Sequence, residues 1–110
     1  MGALPYTCYT NVDRGFDGVY QPGDRLVRGH QGTIDLLPGE SLSALMERIY
    51  ARHNADDRPD GDLCPSMSVG DVVYLGEGYF SVSEVGFRTV GVMPDDLITT
   101  RTWLEVVGRR

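Results

Sequence analysis

Between residues 41 and 53 the apolar positions follow a helical spacing. Leu42, Leu45, Met46, Ile49, Tyr50 and His53 recur at i, i+3, i+4, i+7, i+8 and i+11, while Glu47, Arg48 and Arg52 fall outside that stripe. This is the pattern of one buried helix face. Pro38-Gly39-Glu40 leads into Ser41, a residue whose hydroxyl caps a first turn. Arginines near the far end suit the helix dipole, and Asn54 tolerates the left-handed conformation that stops a helix.

A different period takes over from 68 to 90, where the residues predict a β-hairpin. Val72-Val73-Tyr74-Leu75 reads as one strand, Gly76-Glu77-Gly78 as a tight turn, and residues 79–85 as the returning strand. On that return Phe80 and Val82 alternate with Ser81 and Ser83, which leaves one face buried and one wet. Gly86 is expected to mark a bulge or bend before Phe87-Arg88-Thr89-Val90.

The remaining segments are read from residue type. Residues 6–12 are rich in Tyr, Thr and Val and predict a first strand. Residues 14–32 are broken by Gly, Asp and Pro every few positions, so an ordered loop with one short strand at 26–30 is expected. Residues 97–107 carry many β-branched side chains and are read as a strand, with Trp103 as core filler. The sum is an α+β fold: a small antiparallel, barrel-like sheet with one main amphipathic helix at 41–53, in a single domain over 1–110.

Composition narrows the class of protein. Hydrophobic residues at 41% and charged residues at 24% are ordinary globular usage, which argues against disorder. No apolar run reaches the roughly 20 residues that cross a bilayer, and Met1 to Tyr6 lack the basic and apolar regions of a signal peptide. No membrane association and a cytoplasmic location are therefore expected. Cys8 and Cys64 are read as buried free thiols, being too few for a disulfide scaffold. All ten basic residues are arginine, the mark of a high-GC genome, and the formal net charge is -6. An acidic surface repels phosphates, so nucleic acid is a less favoured partner than a basic patch on another protein.

Candidate chemistry is sparse. His53, Asp56, Asp57, Asp60 and Asp62 form the densest group of possible ligands or acid-base residues. Counted as a calcium loop from Asp56, Gly61 fits the sixth position but Met67 stands where a glutamate is required. A solvated acidic loop is the better reading, and no metal or cofactor is expected. His53 continues the apolar helix face and is read as a packed, hydrogen-bonded imidazole; His30 has no evident partner. Neither a nucleophile elbow nor a phosphate loop is present, so no catalytic residue is assigned.

The stretch Ser66-Met67-Ser68-Val69-Gly70-Asp71-Val72-Val73, followed by Tyr79-Phe80-Ser81-Val82 and Val85-Gly86-Phe87, resembles the YodL-type small domains. Asn54 and Asp57-Arg58-Pro59 look like the lead-in of related proteins from phages and mobile elements of high-GC bacteria. The resemblance covers about residues 45–90 and departs at the short double-glycine turn. It implies an accessory protein that binds and does not catalyse. The leading expectation is thus a protein-binding accessory domain using the acidic loop and the exposed edge beside it, with Asn54, Asp56, Asp57, Arg58, Asp71 and Arg88 as binding residues. A nucleic-acid module using Arg25, Arg28, Arg88 and Arg101 is the alternative, and a metal-dependent hydrolase at His53 and Asp57 a third.

Overall fold

The structure is a computed structural model and describes residues 2–14, 18–61 and 65–107. Its first helix, α1 (Leu42–Arg52), lies where the apolar stripe places it and buries Leu45, Met46 and Ile49. Ser41 caps it, its side chain accepting from the Ala44 N–H at 3.1 Å. The far end departs from expectation. Asn54 does not take the left-handed conformation: among the described non-glycine residues only Asp60 has a positive φ, of 54°. Instead the Asn54 N–H bonds the Ala51 carbonyl and its side-chain amide donates to the Tyr50 carbonyl, so the last turn tightens and the chain continues into the loop.

Six strands pair into a mixed sheet curled into a half-barrel. They are β1 (Ala3–Asn11), β2 (Leu26–Asp35), β3 (Val72–Leu75), β4 (Gly78–Val82), β5 (Phe87–Val90) and β6 (Leu97–Ile98), in the order β5-β4-β3-β1-β2-β6. The α+β class and the single main helix agree with the sequence reading; the sheet is antiparallel except where β6 runs parallel to β2.

Three segments differ from their sequence-based readings, each for a physical reason. β2 is ten residues long where a short strand was expected. Gly32 does not break it, because it admits a close neighbour: a Cβ there would stand 2.6 Å from His30 Nε2. Around Gly86 the expected bend is present, and what differs is the returning strand, which stops short of residue 85. β4 ends at Val82, the Ser83 N–H bonds the Gly86 carbonyl, and Gly86 takes φ 81°, so the hairpin is a three-stranded meander. Residues 97–107 split into β6 and a short helix, α2 (Trp103–Val107). A reciprocal capping box starts α2: Thr102 Oγ1 accepts from the Glu105 N–H at 3.2 Å, and Glu105 Oε1 accepts from the Thr102 N–H at 2.7 Å. Trp103 is half-buried there.

Both faces of the sheet are covered. Under α1, Tyr6, Ile34, Val73, Leu75 and Val82 pack against Leu45, Met46 and Ile49. On the other face Tyr9, Leu26 and Val72 lie beneath Tyr20, Val92 and Leu97. The burial of these side chains is the main stabilising term. Among the described residues no helix is long and apolar enough to cross a membrane.

Candidate binding site

Two places in the fold gather side chains that could act, and they are built in opposite ways. The first lies where the loop after α1 meets β1 and β2. His53, at the C-cap of α1, is only 5% exposed and its Nε2 shares a 2.9 Å hydrogen bond with the Tyr6 hydroxyl. His30 projects from β2 with its ring 5.2 Å from that of His53 and 5.8 Å from that of Tyr6. Its Nδ1 meets Asp60 Oδ2 at 2.7 Å. A cavity of about 20 Å³, lined in part by Cys8, Thr10, His30, His53 and Asp71, sits beside them. It has room for about one water molecule and no more.

The electrostatics of this region match its burial. Loss of solvent, reinforced by the charges of His30 and Arg52, pushes His53 down to about 4, so the ring is neutral at physiological pH. Burial pushes Asp71 up to about 7, against the two backbone N–H groups, of Asn11 and Ser68, that donate to its oxygens at 2.9 Å each. A neighbouring carboxylate behaves in the opposite way. Burial would raise Asp24 too, but hydrogen bonds from Arg14, Asn11 and the Gln21 N–H outweigh it and hold the group at about 2.

These contacts explain the serine-valine-glycine-aspartate stretch. The Asp71 N–H bonds the Ser68 carbonyl to close a turn, and the Asp71 carboxylate ties that turn to β1. Gly70, at φ 93°, passes so close to the Gly18 carbonyl that a Cβ would overlap it at 2.3 Å. Asp71 is thus a buried structural acceptor.

The other expected binding residues are dispersed. Asn54 is spent on the Tyr50 carbonyl, and Asp56 and Asp57 point into solvent. Arg58 is half-buried, with its guanidinium 3.4 Å from the Gly61 carbonyl. Arg88 lies on β5, at one edge of the sheet, and donates to the Tyr20 carbonyl at 3.4 Å. The acidic loop touches β2 through Asp60, and three strands lie between β2 and β5, so the loop and the exposed edge are separate surfaces. Cys8 is half-buried on β1, while Asp62 and Cys64 lie outside the described residues. Of the arginines of the nucleic-acid reading, Arg25 is paired with Asp13 at 2.8 Å, and Arg28 and Arg88 stand on β2 and β5, with three strands between them. Among the described residues no three His, Cys, Asp or Glu side chains converge as metal ligands, and the carboxylate that meets a histidine is Asp60, on His30.

The second place was not anticipated. Between α1 and the β4–β5 turn runs a groove of about 320 Å³, floored by Tyr50, Val69, Val82 and Phe87. Tyr50 and Phe87 meet edge to face at 6.3 Å. Glu47 and Glu84 flank the groove, both exposed, and among the described residues neither makes an ion pair. Val85, at the tip of the adjoining turn, is 92% exposed. Three separate segments, α1, the residues before β3 and the run from Val82 to Phe87, supply this lining, which is why no local motif announced it. Compared with family models, curated proteins and solved structures, the chain matches none.

Proposed function

We propose that this chain is a non-enzymatic accessory module that binds another protein, taking an apolar, basic segment of the partner into the groove between α1 and the β4–β5 turn. The observation that carries the reading is the pairing of an apolar floor with two carboxylates, Glu47 and Glu84, that have no ion-pair partner among the described residues. Apolar anchors in a pocket supply affinity, and rim charges select the partner and speed its approach. The formal net charge of -6 favours a basic partner in the same way. An accessory role of phage or mobile-element type is what the resemblance to YodL-type domains implies, and a binding groove is consistent with it. By contrast, the polar cluster at His53 has its main groups satisfied internally around a cavity too small for a substrate.

The test is selection from an array of random peptides of about twelve residues, long enough to cover a strand and its flanks. Enrichment of arginine or lysine beside apolar residues is expected, and reversing both carboxylates (Glu47→Arg with Glu84→Arg) should weaken the selected peptide about tenfold or more. A selection with no basic preference, or one indifferent to that reversal, would overturn the proposal.

A further inference from the structure

We infer that the partner segment binds as an added β-strand on β5; this rests on the groove reading above and specifies how the groove is filled. Among the described residues β5 is the outer strand of the sheet, next to β4 alone. Which of its main-chain groups face outward follows from the hydrogen bonds of β4. The Val82 N–H bonds the Asp71 carbonyl and the Val82 carbonyl accepts from the Gly70 N–H, so both Val82 groups are turned toward β3. Alternation then turns the groups of Ser81 and Tyr79 toward β5, where they meet Arg88 and Val90. The N–H and C=O of Phe87 and Thr89, opposite Val82 and Phe80, point away from the sheet. A strand laid along β5 would pair with those two residues.

The side chains agree with this placement. Phe87 faces the groove and Tyr50, whereas Arg88 lies on the opposite face against the Tyr20 carbonyl and leaves the edge uncovered. β5 contains no proline and no inward-pointing charge, two devices that natural edges use against pairing. Partner residues opposite Phe87 and Thr89 would project toward α1, beside Tyr50 and between Glu47 and Glu84. The fitting partner is an extended stretch of another protein in which apolar and basic residues alternate. A second copy of this chain is a poorer occupant, because it would bring the same carboxylates edge to edge.

The experiment uses the full chain and the best peptide from the array. Methylating the peptide backbone nitrogens one at a time should weaken binding about tenfold at every second position and little between them, the period of strand pairing. Thr89→Pro should weaken it comparably while the melting temperature holds, because the Thr89 N–H faces outward and no ladder bond is lost. If methylation and Thr89→Pro leave affinity unchanged while reversal of Glu47 and Glu84 lowers it, the added strand is wrong and the groove reading stands. If no peptide is selected, both fail. Peptides with apolar residues at helical spacing would overturn the strand, and so would a wild-type dimer in sedimentation that Thr89→Pro dissolves. Should Thr89→Pro fail to fold, the methylation series still decides.

Discussion

The two ends of this sheet handle polarity in opposite ways. Around His53 and Asp71, titratable groups are buried and each meets a partner within the chain. Around Phe87, among the described residues, the carboxylates are exposed and have no ion-pair partner, and a strand edge is left open. A buried polar group without a partner costs several times what a satisfied one contributes, so the first arrangement is what stability requires. The second has no such explanation. Chemical richness is therefore a poor guide to function here, and unsatisfied surface is the better one.

The largest effects should separate the two regions by pH. His53 titrates near 4 in the fold against 6.5 ordinarily, so its contribution is complete above pH 6.5 and is lost as pH falls toward 4. Asp71 titrates near 7 against an ordinary 3.8, so its ionisation destabilises the fold as pH rises from about 4 to 7. Each shift corresponds to about 3 to 4 kcal/mol, with opposite sign. The wild-type denaturation midpoint should consequently change little between pH 7 and 4. His53→Gln, which keeps a partner for Tyr6 but does not titrate, should gain stability on acidification, and Asp71→Asn should lose it. Parallel profiles in all three proteins would show that these groups are not buried as described. Peptide binding should follow neither profile.

Next in size is the turn that Asp71 ties to β1. Asp71→Ala leaves the Asn11 and Ser68 N–H groups without acceptors and should cost about 2 to 3 kcal/mol in urea denaturation. Reversal of Glu47 and Glu84 should change stability by about 0.5 kcal/mol or less, both being exposed surface residues. A large stability loss from the groove variants would erase the distinction between the regions.

How much of this was legible beforehand depended on whether the signal was local. The stripe from Leu42 to Tyr50 and the Ser41 cap located α1 because helix periodicity and capping act within a few residues. Gly76, at φ 64°, served its turn as expected. The full length of β2 was hidden because Gly29 and Gly32 look like loop punctuation, until the His30 ring beside Gly32 shows why a Cβ is excluded there. The Thr102-Glu105 capping box was present in the sequence, but the β-branched run around it outweighed the cue. His30 with Asp60, thirty residues apart, and the groove, assembled from three segments, follow only from the topology.

The smallest effect belongs to Asp60, where two opposing terms meet in one residue. Its carboxylate binds His30 at 2.7 Å from a side chain about half exposed, and such a pair contributes about 1 kcal/mol at most. Its backbone at φ 54° costs a non-glycine residue about 1 kcal/mol. Asp60→Ala loses the pair and keeps the strain, so a loss of about 1 kcal/mol is expected. Asp60→Gly loses the pair and relieves the strain, and should lie within a few tenths of a kcal/mol of wild type. Equal destabilisation by the two variants would mean that the backbone carries no strain. A loss well above that in both would make the His30–Asp60 contact a stronger latch than its exposure allows, and would return attention from the groove to the polar end of the sheet.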